Sequence, residues 1–269
     1  MSTDEMMAAE TSLPEAHAPE MSTDDYRELI WTELRKVARP DSRFHWDFGS
    51  FITDFEGSDA CAARVLELDA FSGRGTSRIF ITPDNCLEDL RWELLKAGVG
   101  FAMSSYGIVR GFSTIDPADV PPGQERYAAT LDGFDRFARP APLAELATGT
   151  PFGLLVTGGS AVSRNGVRFG KGHGYFDFEF ATLSELGLAG PTSCVVDVVH
   201  DCQYVDRALP AEPHDVRVDR IVTPTTVRFV DEPPRSAARV HWEMLPGTEF
   251  ERLGIVAELR AHLGMRAPS

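Results

Sequence analysis

Apolar residues recur along this chain in two alternating periods, one helical and one strand-like. Tyr26, Leu29, Ile30, Leu34 and Val37 fall on one face of a helix that Ser22-Thr-Asp-Asp25 caps and that ends before Pro40. Its other face carries Arg27, Arg35 and Lys36, for which a solvated surface and a phosphate-directed cation are both open readings. Helical spacing returns over 57–68. Ser77-Arg-Ile-Phe-Ile-Thr82 then reads as a strand, 87–96 as a helix closed by Gly98, and Val99-Gly-Phe-Ala-Met103 as the next strand. Further on, Phe152-Gly-Leu-Leu-Val-Thr157 predicts a buried strand, 175–186 a helix, the β-branched run 192–199 a strand, 220–223 a short strand and 249–263 a final helix. This alternation predicts an α/β fold with a mixed, mainly parallel sheet flanked by helices and joined by right-handed crossovers.

Between 115 and 150 the pattern fades into Pro- and Gly-rich sequence, but strands resume directly after it, so one domain with a long excursion is expected. Residues 1–22, rich in Ala, Glu, Ser, Thr and Pro, are expected to be a disordered acidic tail. Residues 23–230 form the expected α/β domain, and 231–269 a C-terminal extension packed on it. At 269 residues and 43% hydrophobic the chain can bury a proper core. A net charge of −15 argues against nucleic-acid binding, which needs a basic face, so an anionic ligand would require a local basic pocket. Cys61, Cys86, Cys194 and Cys202 lack zinc-type spacing and are read as reduced thiols. With no apolar run of 18 residues and no basic-then-apolar leader, a cytoplasmic protein without membrane contact is expected.

The candidate chemistry concentrates in Arg164-Asn-Gly-Val-Arg-Phe-Gly-Lys-Gly-His-Gly-Tyr-Phe-Asp177. Gly166, Gly170, Gly172 and Gly174 free the backbone to approach a ligand, so successive N–H groups can converge on an anion. Arg168 and Lys171 add fixed cations, and the following helix presents its N-terminus. The stretch fits neither the dinucleotide fingerprint nor the Walker pattern, and a tight turn is the plain alternative. Coupled to Tyr175 and Asp177, however, it is a candidate site for phosphates with Asp177 on magnesium. His200-Asp201 and His214-Asp215 are each read as structural, with zinc a minor alternative, and no G-x-S-x-G elbow marks a serine hydrolase. Phe44, Trp46, Phe48, Phe51 and Phe55, with His45, crowd the irregular stretch 40–57; a pocket wall for a flat ligand and a sheet-edge or subunit contact stand open.

The run 166–177 resembles the glycine-rich ATP loop of 5-formyltetrahydrofolate cyclo-ligases, and Asp219-Arg-Ile-Val-Thr-Pro224 is similar to their closing strand. The divergent methenyltetrahydrofolate synthetase domain-containing branch carries similar versions of three blocks found here in order at 170–177, 199–203 and 213–219. The resemblance implies a Rossmann-like three-layer fold and an ATP- and Mg2+-dependent reaction, in which the formyl oxygen of 5-formyltetrahydrofolate attacks the γ-phosphate and N10 then closes the ring. It further implies that Arg168, Gly166, Gly170, Lys171, Gly172, Gly174 and Tyr175 contact ATP, that Asp177 holds magnesium, and that Arg27 or Arg35 stands for a cation of the N-terminal helix. Lys171, Tyr175 and Arg168 would carry the catalytic roles. The chain departs from the enzyme pattern at His173, Phe176 and Phe178, and it has Ser104-Ser-Tyr106 where those enzymes have a Pro-Arg-Tyr-like segment. Asp84, Asn85 and Glu88 compete for the folate-contacting acidic position. A paralogue acting on a non-folate substrate and a non-catalytic nucleotide- or folate-binding protein are the alternatives.

Overall fold

Strands that are apolar on both faces must be covered on both faces, and the sequence supplies helices before and after each of them. The computed structural model describes residues 22–72, 78–231 and 238–265. In chain order its elements are α1 (Thr23–Leu34), β1 (Ala38–Arg39), β2 (Asp54–Phe55), α2 (Ser58–Glu67), α3 (Asp69–Ser72), β3 (Arg78–Ile81), α4 (Glu88–Lys96), β4 (Phe101–Ser104), β5 (Phe112–Ile115), α5 (Glu125–Ala128), α6 (Leu131–Phe137), β6 (Arg139–Pro140) and α7 (Leu143–Leu146). There follow β7 (Phe152–Gly158), β8 (Ala161–Ser163), β9 (Arg168–Phe169), α8 (Tyr175–Glu185), β10 (Cys194–Val198), β11 (Tyr204–Val205), β12 (Arg220–Val222), β13 (Val227–Phe229) and α9 (Gly254–His262).

The main sheet has eight strands in the order β13-β12-β10-β7-β3-β4-β5-β6. Its centre, β12 to β4, is parallel, and β13, β5 and β6 add antiparallel edges. One face packs on α2, α4 and α6, with Val65, Leu90, Leu94 and Phe134 in the core. The other packs on α7, α8 and α9 through Leu143, Phe180, Leu183 and Leu259. The crossover β3–α4–β4 therefore runs over one face and β7–α8–β10 over the other, in opposite directions from the β3/β7 pair. Such a switch point opens a crevice outside the carboxyl ends of the strands.

Several expectations shift. Helix α1 is held by a capping box in which Ser22 and Asp25 bond reciprocally, but it ends at Leu34, so Val37 leads into β1 instead of extending the helical stripe. The excursion after 115 is structured: α5 packs beside α4, α6 packs on α5, and β6 pairs with β5, its proline lying on an edge strand. Short helices of four to seven residues carry too little periodicity to be read. The final helix divides into a 3-10 turn, Glu249–Arg252, and α9. The tail expected over 1–22 lies outside the described residues except for Ser22, as do Ser77 and Pro233-Pro234.

The largest shift concerns the glycine-rich stretch. Its first part is a hairpin, β8 to β9, with Asn165 and Gly166 at the turn. Gly166 has φ 77° and its carbonyl accepts the Val218 N–H at 3.0 Å, so close to that segment that a Cβ on Gly166 would meet the Val218 carbonyl at 2.6 Å. Its glycine is required by that close approach, and Gly166 does not line the ligand cavity, contrary to expectation.

Candidate functional site

A cavity of about 460 Å³ opens at the carboxyl ends of β3, β4 and β7, a size ordinary for a small-molecule site. One wall is the loop from Arg168 to Asp177. Phe44, Phe51, Ile52 and Tyr106 face it; Asp84, Gly158 and Glu179 lie between; Glu212, His214 and Asp215 close a third side. Arg27 on α1 also reaches the cavity, together with Arg168 and Lys171. Arg35 does not: its guanidinium lies over the rings of Trp46 and Phe48, 5.7 and 5.2 Å from the centroids, and donates to the Trp46 carbonyl. Of the two cations Arg27 alone lines the cavity, because Arg35, the C-cap of α1, stands eight positions and so roughly 12 Å further along the helix axis.

The loop Gly170-Lys171-Gly172-His173-Gly174 takes left-handed backbone at Gly172 (φ 100°) and Gly174 (φ 71°), which side chains oppose. Gly174 is also the N-cap of α8, so the free N–H groups of that helix start at the cavity wall. Side chains tether the loop from several directions. Arg27 Nε donates to the Gly170 carbonyl at 3.2 Å. Lys171 Nζ donates to the Ser50 carbonyl at 3.1 Å and lies 4.9 and 5.5 Å from the ring centroids of Tyr106 and Tyr175. The Tyr106 hydroxyl donates to the same Ser50 carbonyl, joining the aromatic wall to the loop. From the C-terminal segment, Glu249 accepts from the Tyr175 hydroxyl at 2.6 Å and bonds His173 Nδ1 at 2.7 Å.

Opposite charges meet here. Arg168 is buried, with Nη2 3.5 Å from Asp177 Oδ2 and its guanidinium 4.5 Å from the Phe176 ring centroid. Asp177 Oδ1 accepts the Val216 N–H, and Asp215 Oδ2 accepts the Glu212 N–H, which brings the first turn of α8 beside the 212–216 loop. Burial, with help from the Asp177 charge, raises the Asp215 pKa. Among the described residues no group of three His, Cys, Asp or Glu side chains stands together as a metal cluster, so Asp177 and Asp215 are two carboxylates on one cavity wall beside the glycine-rich loop. Burial also holds the Lys171 ammonium below its ordinary pKa. Glu179 is fully buried, accepts from the Ser104 hydroxyl, and is pushed by burial to about 8; its second oxygen has no partner. Asp84 Oδ2 accepts from the Thr82 hydroxyl and the Gly158 N–H, and buried Arg91 grips the carbonyls of Thr82 and Asp84 from below.

A model of the 5-formyltetrahydrofolate cyclo-ligase family matches residues 20–224. The chain belongs to that family. Methenyltetrahydrofolate synthase domain-containing proteins are its similar relatives: the human one is 31% identical over 255 residues (92% of this chain, 63% of the relative), and the mouse one 34% over 247 residues (89% and 63%). The chain thus spans somewhat under two thirds of their length. A 5-formyltetrahydrofolate cyclo-ligase of Mycolicibacterium smegmatis is 41% identical over 64 residues, 24% of this chain and 29% of that one. Among solved structures, the Aquifex aeolicus 5,10-methenyltetrahydrofolate synthetase aligns at 18% identity and TM-score 0.47, covering 81% of this chain and 97% of that one.

Within this cyclo-ligase-family fold the predicted Arg27, Arg168, Gly170, Lys171, Gly172, Gly174, Tyr175 and Asp177 all meet at one cavity. Among the acidic candidates Asp84 and Asn85 line it, whereas Glu88 faces Arg126. The departures from the enzyme pattern also have partners. His173 bonds Glu249, Phe178 stacks on Phe250 with centroids 4.9 Å apart, and Ser104 serves Glu179. The block 199–203 is a support: His200 caps the turn Asp201–Gln203, and the Gln203 amide donates to the carbonyls of Gly159 and Ser160 behind the hairpin. Sequence reasoning missed Tyr106, Glu179 and Glu249. Glu179 did carry a signal, as an acid on the apolar stripe of α8; Glu249 carried none, being 72 residues beyond Asp177 and exposed in pattern.

Proposed function

We propose that this protein performs an ATP- and Mg2+-dependent, 5-formyltetrahydrofolate cyclo-ligase-like reaction. The observation that carries the reading is the single cavity that unites the glycine-rich loop, the Asp177 and Asp215 carboxylates and the aromatic wall. The N–H groups at Gly172–Tyr175 and the start of α8 bind the terminal phosphates, with Arg27, Arg168 and Lys171 neutralising their charge. Asp177 and Asp215 would hold magnesium, whose contribution when bound is to draw charge from the phosphate oxygens. Phe44, Phe51 and Tyr106 provide flat apolar surface for a ring system, and Asp84, fixed by Thr82, Gly158 and Arg91, offers an acceptor to its N–H edge.

Chemically, the formyl oxygen attacks the γ-phosphorus as the bond to ADP breaks; N10 then attacks the formyl carbon, phosphate departs, and N10 loses its proton. The protein's part is alignment and charge neutralisation, which suits a site made of backbone N–H groups and fixed cations. Incubation with ATP, magnesium and 5-formyltetrahydrofolate should yield the methenyl-folate absorbance. Its absence at high protein concentration overturns the folate reading.

A second reading is favoured by the buried acid Glu179, which lines the cavity with one carboxyl oxygen held by Ser104 and the other without a partner. In that reading the nucleotide half is retained and another N-formyl or carboxylate compound takes the folate place. ATP hydrolysis that depends on a non-folate metabolite, with none on 5-formyltetrahydrofolate, would select it.

A further inference from the structure

The loop 170–174 has three glycines in five residues, so its ordering is opposed by more backbone entropy than any other stretch near the cavity. Each of its non-glycine neighbours is tied down by a side-chain bond. Lys171 is held by Ser50. His173 and Tyr175, which flank Gly174, are both held by one carboxylate, Glu249.

That carboxylate stands on a rigid base. Ile255, Val256 and Leu259 of α9 are buried in the core under α7 and α8, Glu258 accepts the Leu143 N–H, and Arg260 lies 5.0 Å from the Trp242 ring centroid. Phe250, next to Glu249, packs edge-on to Tyr175 and stacks on Phe178. The Glu249 side chain itself is 46% exposed, so its contacts with the loop carry little core packing.

We propose that the C-terminal segment is an integral part of the phosphate-binding wall, and that Glu249 is a positioning residue which fixes the loop at Gly174 by holding His173 and Tyr175 together. The consequence for ligand binding rests on the nucleotide reading above; the tether itself does not.

The test separates the two. Backbone 15N relaxation of the free full-length protein is measured for wild type, for Glu249→Ala, and for the double variant His173→Ala/Tyr175→Phe, which removes the same two bonds from the loop side. In both variants the order parameters over 172–175 should fall from the rigid range near about 0.85 to below about 0.6, while α9 keeps its wild-type values. Glu243→Gln, which alters an exposed acid of the same segment, should leave the loop unchanged. Loop order parameters equal to wild type in both variants overturn the proposal, as does an equal fall across the loop and α9 in the double variant. MgATP titration is run in parallel. If wild type binds, Glu249→Ala should weaken binding about tenfold and Glu249→Gln less, since Gln keeps one acceptor; unchanged affinity in Glu249→Ala overturns the positioning role. If wild type does not bind MgATP, the nucleotide reading fails while the relaxation experiment still decides the tether.

Discussion

The two walls that face each other across the cavity are built on opposite principles. The aromatic wall holds its shape by packing: Phe51 is 2% exposed, stacks on Phe44 with centroids 5.3 Å apart, and leans on Phe48. The glycine-rich wall has almost no apolar substance of its own over 170–174 and takes its shape from bonds to the Arg27 side chain of α1, to the Ser50 carbonyl and to the Glu249 carboxylate of the C-terminal segment. A wall made by packing should lose stability when it is cut; one made by tethers should lose affinity first. The contrast matters for a phosphate site, where backbone N–H groups have to face the ligand and side chains have to stand aside.

The largest expected effect lies on the packed side. Phe51→Ala should lower unfolding free energy by about 3–5 kcal/mol in urea denaturation, the usual cost of an emptied aromatic site. A loss under about 1 kcal/mol would mean that this wall is not fixed by packing. On the tethered side, Lys171→Ala should weaken MgATP binding by about 1–3 kcal/mol, the range of a charge-assisted contact, with a much smaller change in stability. Unchanged affinity in a titration would remove Lys171 from the site.

A third test addresses what lies beneath both walls. Asp197 on β10 is wholly buried, neither carboxyl oxygen has a hydrogen-bond partner, and burial lifts its pKa to about 7, the nearby Arg168 charge opposing the rise. The folded protein therefore holds this proton more tightly than the unfolded chain, so the stability it contributes is complete below about pH 4 and is lost as pH climbs through 7. Asp197→Asn should flatten that decline, which at its steepest is about 1.4 kcal/mol per pH unit. Equal slopes for wild type and variant between pH 5 and 8 would contradict it. The smallest effect belongs to Arg35. Its replacement by Ala should cost only about 0.5–1 kcal/mol of stability from the lost aromatic contacts and leave nucleotide affinity unchanged, whereas Arg27→Ala should weaken it. Equal losses of affinity would put Arg35 back in the site.

How far the sequence could be read varied with the range of the interaction. The alternation of apolar runs made the parallel sheet and its covering helices legible, and the clustered Gly, Lys, Tyr and Asp made the loop legible, because each pattern is local. Two equal dipeptides show where local reading stops. His200-Asp201 caps a turn and braces the hairpin, whereas His214-Asp215 lines the cavity, with 3.8 Å between imidazole and carboxylate and Asp215 beside Asp177. Nothing within either dipeptide distinguishes them; their places do, one just after β10 and the other midway along the loop between β11 and β12.

By itself, then, the sequence determined the α/β class, the family and the glycine-rich segment that walls the cavity, since periodicity and a contiguous motif are properties of neighbouring residues. Only the tertiary structure decided that Gly166 serves a hairpin, that Arg27 and not Arg35 reaches the cavity, that Asp215 joins Asp177, and that Glu249 holds His173 and Tyr175. Those pairings span from 38 to 143 residues and depend on which strand ends the crossovers bring together, a choice made by burying two faces of one sheet and encoded at no single position.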